Sequence, residues 1–207
     1  YGCQFIKSGE SAFDYNRLLA CGADGYDDWP DWRPYASRPM ADRPVWIGYD
    51  PNGASGKGDS GAISVNAVPM VAGGKFRTVE TLRIRGMEFE EQANLIIGML
   101  SRYNVQHIGI DGTGIGEAVY QLVKKHFPAA VCYQFSPASK RMLVLKMQQL
   151  VRGGRWEYDR GELDLVGAFN SVRKIVTPGG VITYDTDRSR GVSHGDLAWA
   201  TMLATIN

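Results

Sequence analysis

From Val45 onward, apolar and polar positions fall into short blocks separated by turn residues. Val45–Asp50 (VWIGYD) is an apolar run closed by a carboxylate and Pro51-Asn52-Gly53, the pattern of a buried strand entering a turn. Gly61–Val68 and Lys75–Ile84 read as two further strands, joined through Pro69 and Gly73-Gly74. Over Glu88–Tyr103 the period becomes helical, with Phe89, Ala93, Ile96, Ile97 and Leu100 on one face. Val105–Asp111 (VQHIGID) is a fourth strand ending in Asp, Gly116–Phe127 a helix closed by Pro128, and Ala130–Phe135 a fifth strand. Helices are expected at about Ser139–Arg152 and Glu162–Lys174, with a short strand at Arg155–Tyr158 between them. Ile175–Tyr184 carries Pro178-Gly179-Gly180 at its centre, a hairpin signal, and a last helix begins near His194.

Three strands in meander order, then helix, strand, helix and strand, describe a mixed α/β sheet flanked by helices, with the hairpin as an addition. The fourth and fifth strands are joined by a helix and so run parallel, and the fourth can lie beside the first. The resulting order, 3-2-1-4-5, resembles the ribonuclease H-like core. Residues 1–44 are different. Asp24–Pro34 is dense in Asp, Trp and Pro and has no sustained period, so it reads as a connecting segment, with a short helix around Ser11–Ala20. Its tryptophans are expected to pack, on the main domain or on a neighbour. The chain begins with Tyr1 rather than Met, which suggests a fragment of a longer protein.

Composition narrows this only modestly. With 44% hydrophobic and 22% charged residues the chain has ordinary globular content and material for one sizeable core. A formal net charge of +1 gives no bulk signal for nucleic acid, though an acidic site can offset a basic rim. Cys3, Cys21 and Cys132 are odd in number and widely spaced, so a disulfide framework or a structural zinc site is not expected, and a reducing compartment is. No apolar run reaches the ~18 residues of a membrane span.

The chemistry lies in three carboxylates. Asp50 and Asp111 end the two central neighbouring strands, at the switch point where open α/β sheets place their sites. Asp196 opens the last helix, whose small residues Ala198, Ala200 and Ala204 let it lie close to the sheet. Each aspartate alone has a simpler reading, as a turn residue after a strand or a helix-start residue favoured by the dipole. Together, without a basic partner, they would repel one another, and divalent cations with hard oxygen preference, Mg2+ or Mn2+, resolve that repulsion. Two such ions ~3.5–4 Å apart activate water and stabilise the leaving oxygen in phosphodiester hydrolysis. In this scheme Asp50 bridges, Asp111 and Asp196 each bind from one side, and Asp59 is a fourth candidate ligand. His194 is a candidate for proton transfer or for donation to a phosphate oxygen. Lys57, Lys140, Arg141, Arg188 and Arg190 are candidate contacts to DNA phosphates, which are largely sequence-independent.

Three segments carry a resemblance: GYDPNGASGKGDSGAISV at 48–65, IDGTGIG at 110–116 and SHGDLAWATMLA at 193–204. Each motif alone is weak. As an ordered set over about residues 45–207 they resemble the three acidic motifs of the nuclease domain of viral, tailed-bacteriophage-type DNA-packaging terminase large subunits. Asp50, Asp111 and Asp196 match position by position, and the hairpin at 175–184 is similar to a feature of that family near its site. The resemblance implies a metal-dependent endonuclease that cuts concatemeric double-stranded viral DNA during packaging, in the cytoplasm of an infected bacterial host. It further implies a preceding ATPase domain in the full-length chain, with residues 1–44 as linker and tail, and the portal and the small terminase subunit as partners. No G-x-x-x-x-G-K-[ST] sequence occurs in the chain itself.

Two readings compete. An actin- or sugar-kinase-like ATPase lobe has the same core, and Asp111-Gly112-Thr113-Gly114 suits its phosphate turns, but the chain is short for two lobes and Asp50 is followed by Pro-Asn-Gly. The loop 53–60 (GASGKGDS) resembles a phosphate cradle, yet Lys57 is followed by Gly rather than Ser or Thr. A ribonuclease H-like module that only binds DNA or portal would gain nothing from clustered negative charge beside phosphate. A junction resolvase is a variant within the nuclease class. No helix-turn-helix, zinc finger or basic region is present, so little sequence specificity is expected.

Overall fold

The computed structural model describes residues 7–51, 60–177, 179–186 and 195–207, the stretch 7–10 by backbone alone. Ahead of the expected core lie β1 (Lys7–Ser11), α1 (Tyr15–Ala20), β2 (Gly22–Ala23) and α2 (Gly25–Asp28). The meander follows as β3 (Pro44–Asp50), β4 (Gly61–Ala67) and β5 (Phe76–Ile84). Then come α3 (Phe89–Arg102), β6 (Asn104–Asp111), α4 (Gly116–His126), β7 (Val131–Tyr133) and α5 (Pro137–Arg152). The chain continues with β8 (Trp156–Asp159), α6 (Leu163–Ser171), β9 (Val172–Val176), β10 (Ile182–Thr186) and α7 (Asp196–Leu203).

The main sheet runs β2-β8-β5-β4-β3-β6-β7. Its centre, β5-β4-β3-β6-β7, is the 3-2-1-4-5 order expected from the sequence, with β3 antiparallel to β4 and parallel to β6, and β6 parallel to β7. At the β5 edge the sheet is extended by β8 and β2, each parallel to its neighbour. A second, antiparallel sheet has the order β1-β9-β10. The helical pattern over Glu162–Lys174 stops at Ser171, because β9 takes the centre of this small sheet and bonds a strand on each edge. Pairing on both sides outweighs the helical period that Val172–Lys174 continue.

Residues before Pro44 are built into both cores. Phe13 and Leu18 join the cluster with α5, α6 and α7, while Trp29 and Met40 join the one with α3 and α4. Asp31 accepts from Arg77 at 2.8 Å and pairs with Arg43, and Trp29 Nε1 donates to Glu157 at 3.3 Å. Among the described residues no helix is long and apolar enough to cross a membrane.

Strand alternation divides the central sheet between the two cores. Val45, Ile47 and Tyr49 of β3 and Ile108 and Ile110 of β6 pack toward α3 and α4. Trp46, Gly48 and Asp50, with His107, Gly109 and Asp111, therefore share the opposite face, and α7 covers it. A Cβ on Gly48 would stand 1.9 Å from Ala200 O, and one on Gly109 2.9 Å from Leu203 O. Gly48 and Gly109 are paired in register. Backbone thus lies on backbone, and the helix is buried throughout from Leu197 to Leu203.

Two outcomes follow. Gly48→Ala forces α7 off the sheet, and the overpacking should lower unfolding stability by about 1–3 kcal/mol in urea titrations; an unchanged midpoint would mean that α7 shifts freely. His107 is buried, its Nε2 has no hydrogen-bond partner among the described residues, and burial pushes its pKa below the ordinary 6.5. The unfolded chain binds that proton at higher pH than the folded one, so stability is full above about pH 6.5 and is lost as pH falls through the folded value. Melting temperatures should drop over that window, and His107→Leu should flatten the decline; an identical decline in the variant would remove His107 as its cause.

Candidate active site

The site grows from the ends of β3 and β6. With Tyr49 opposite Ile110, Asp50 and Asp111 end the two parallel strands at the same level and on the same face. Both are buried, at 8% and 4% exposure, which is unusual for carboxylates unless they are paired. Asp196 is the first residue of α7, the helix lying across that face, where the helix dipole favours a negative charge.

Two of the carboxylates, Asp111 and Asp196, have local hydrogen-bond support. Asp111 Oδ1 accepts from Thr113 N at 2.9 Å and from Thr113 Oγ1 at 2.7 Å, an Asx-type turn formed by Asp111-Gly112-Thr113. Gly116 closes this turn against the strand, for a Cβ there would stand 1.8 Å from Asp111 O. Ser60, itself buried, donates to Asp196 Oδ2 at 2.9 Å and ties the start of β4 to the start of α7. Gly195 packs so tightly on Thr186 that a Cβ would lie 1.9 Å from its Cγ2, which seats the end of β10 beside Asp196.

The electrostatics follow from burial. Desolvation pushes the Asp111 carboxyl up from its ordinary value, while the two Thr113 hydrogen bonds and the Lys140 charge pull it down. Burial raises the Tyr49 phenol, and the charges of Asp50 and Asp111 raise it further. Its hydroxyl donates to Gln92 Oε1 at 2.5 Å, under the sheet. On the far side of Asp111, burial and the Glu117 carboxylate at 3.3 Å push the Cys132 thiol up to about 11, leaving it protonated at neutral pH.

The structure therefore brings Asp50, Asp111 and Asp196 to one face and one end of the sheet. Among the described residues it does not gather three His, Cys, Asp or Glu side chains into a group that could hold a metal ion. Asp111 is instead turned to Thr113 and Asp196 to Ser60. The donor chemistry nonetheless suits a hard divalent cation, since all three side chains offer carboxylate oxygens and, among the described residues, no thiolate or imidazole joins them. Asp59, His194, Lys57, Arg188 and Arg190 lie outside the described residues.

The two remaining basic candidates part company on α5. Lys140 Nζ lies 3.4 Å from Asp185 Oδ1, over the rings of Trp199 and Phe135. Arg141 faces outward, into an open groove of about 810 Å³ that it shares with Met142, Leu145, Lys146, Val181 and Ile182. This groove is not at the carboxylates. Sequence reasoning missed Thr113 and Ser60. Thr113 was legible as Asp-Gly-Thr; Ser60 had no signal, because its partner is 136 residues away.

Residues 47–207 match the family model described as the terminase RNaseH-like domain. The chain belongs to that family. It is 44% identical over 206 residues to the "Terminase, ATPase subunit" of Escherichia phage P2, which covers 99% of this chain and 34% of that protein. The chain thus spans about a third of the length of the curated relatives it matches, the second being the probable terminase ATPase subunit of Haemophilus phage HP1. Among solved structures, the large terminase nuclease of thermophilic phage G20c with bound magnesium superposes with a TM-score of 0.71 at 17% identity, covering 96% of this chain and 97% of that one. The Sf6 large terminase nuclease domain, a K428A mutant with manganese and beta-thujaplicinol, superposes at 0.68 and 11% identity, covering 95% and 99%. At such identities the likeness is one of fold, and the fold of this terminase domain is ribonuclease H-like.

If Asp111 is a ligand, the Thr113 bonds that orient it matter to ion affinity. Thr113→Val should weaken Mn2+ binding in isothermal titration by about 10–100-fold, the usual effect of removing an outer partner of a ligand. Unaltered affinity would take Asp111 out of the ligand set.

Proposed function

We propose that this terminase domain is a metal-dependent endonuclease that cuts concatemeric double-stranded viral DNA during genome packaging, with little sequence specificity. The observation that carries the reading is the shared placement of Asp50, Asp111 and Asp196: two ends of adjacent parallel strands and the start of the helix crossing them, all on one face. The magnesium and manganese in the G20c and Sf6 structures support the choice of ion for those proteins and, by shared fold, for this one.

Asp50 is the proposed bridging ligand, with Asp111 and Asp196 binding from either side. Asp59 and His194 remain proposals outside the described residues. Two Mg2+ or Mn2+ ions, when bound, would supply an activated water and neutralise the leaving oxygen. The chain's own part is positional. Thr113 and Ser60 hold two of the carboxylates by hydrogen bonds, and the close seating of α7 fixes Asp196 relative to the strands. Lys140 and Arg141, with Lys57, Arg188 and Arg190, are proposed to meet DNA phosphates, which position a duplex without reading its bases.

The curated relatives are named ATPase subunits. We assign that activity to the part of the longer protein that this chain does not span, with residues 1–44 leading from it. Portal and small terminase subunit are the proposed assembly partners, and the cytoplasm of the infected host the proposed place of action.

The test is cleavage of supercoiled plasmid by this chain with Mg2+, Mn2+ or EDTA, beside Asp50→Ala, Asp111→Ala and Asp196→Ala. Metal-dependent nicking and linearisation should appear in the parent and fall at least about a hundredfold in each variant, the scale of losing a principal charge-stabilising group. Absence of cleavage at high protein concentration, or cleavage indifferent to the three substitutions, would sink the assignment; ATP turnover by this chain would then favour the kinase-like lobe.

A further inference from the structure

Lys140 stands where three elements meet. It lies on α5, its ammonium reaches Asp185 on β10, and the same ammonium sits over the ring of Trp199 of α7, three residues beyond Asp196. Phe135 completes the platform, with the ammonium 5.6 Å from its ring centroid and 5.2 Å from that of Trp199. This aromatic seat does not depend on Asp185. It keeps a positive charge near the carboxylate face, close enough to act on Asp111.

The tie to Asp185 is weak by its geometry. At 3.4 Å it is longer than the ~2.7–2.9 Å of a tight charge-assisted hydrogen bond. The Asp185 side chain is 43% exposed, and its Oδ1 already accepts from Thr186 N at 2.9 Å. An ion pair so placed is easily exchanged for another anion. A DNA strand approaching Asp50 and Asp111 brings phosphate charge to a face that is already acidic, and Lys140 is a cation seated beside that face.

We propose that the Lys140 ammonium is shared between Asp185 and the DNA backbone: Asp185 holds it in the free protein, and a phosphate takes it over when a duplex docks. The β9–β10 hairpin, through Asp185, then competes with DNA for the same charge and restrains engagement. This rests on the nuclease reading for the identity of the duplex ligand.

The experiment measures binding of a short fluorescein-labelled duplex to the full chain by anisotropy, in EDTA, across a salt series. Lys140→Met keeps an unbranched side chain at this place on α5 while removing the charge. It should weaken binding several-fold and reduce the slope of log affinity against log salt by about 1. Lys140→Arg should retain the slope. Asp185→Asn should tighten binding by about 2–5-fold, the scale of one weak ion pair, and should have no effect in the Lys140→Met background. Asp185→Asn weakening binding, as Lys140→Met does, would reduce the pair to a structural tie and overturn the exchange. Equal tightening in both backgrounds would also overturn it, as mere loss of negative charge. Binding in EDTA is independent of cleavage, so failure here leaves a metal-dependent plasmid-cleavage result standing, and failure of that cleavage leaves these differences readable.

Discussion

The backbone of α7 lies on the backbones of β3 and β6 with no side chain between them, and the carboxylate end of the sheet depends on this contact. Gly48 and Gly109, paired across the two strands, make room for it. A helix of 8 residues has little stability of its own, so its place must come from tertiary contacts. Burial from Leu197 to Leu203 supplies most of that. A polar chain supplies direction: Trp156 Nε1 donates to Thr78 Oγ1 at 2.9 Å, and Thr78 Oγ1 to Asn66 Oδ1 at 2.8 Å. Asn66 Nδ2 then donates to the carbonyls of Thr201 and Ala204, each at 3.3 Å. An unpaired member of such a network would cost about 1–3 kcal/mol in the core, so α7 is held in one register on the sheet. The position of Asp196 is thereby set partly from β8, at the other side of the main sheet.

Two buried carboxylates at neighbouring strand ends are an electrostatic liability that apolar packing cannot relieve. Burial favours the neutral acid at Asp111, and the protein answers with the two Thr113 donors and the Lys140 charge. Asp196 has the helix N-terminus and Ser60. These partners orient the oxygens, but a neutral hydroxyl or amide compensates charge far less than a cation does. The arrangement therefore holds carboxylate oxygens in fixed positions, the donor type that hard divalent ions favour.

Much of the central fold was legible because it is written in local periods. Apolar runs ending in Asp, a helical stripe and Gly-rich turns are enough to give the order β5-β4-β3-β6-β7. The β2 and β8 extension was not legible, because β2 has only 2 residues and pairs with a strand 136 positions away in the register Gly22 to Tyr158. The shared face of Asp50 and Asp111 was present in the sequence as Gly-Tyr-Asp and Gly-Ile-Asp: a glycine two positions before an aspartate puts the gap for a helix and the carboxylate on one face. Ser60 was silent, since a lone serine before a strand carries no sign of a distant partner.

The small sheet gives the site a second neighbour that the ribonuclease H-like core does not require. Thr186, at the end of β10, presses on Gly195, and Asp185 meets Lys140, so the hairpin touches both the start of α7 and the cation beside it. β9 is bonded on its other edge to β1, near the start of the chain. A displacement at β1 has a continuous hydrogen-bonded route through β9 and β10 to the residues flanking Asp196. The two contacts at its end differ in kind. Thr186 on Gly195 is steric and tolerates little movement, whereas Lys140 with Asp185 is a long, partly exposed ion pair that yields readily. Strain arriving along the hairpin would therefore be taken up first at Lys140, and the charge presented to a docking duplex would change before the position of Asp196 does.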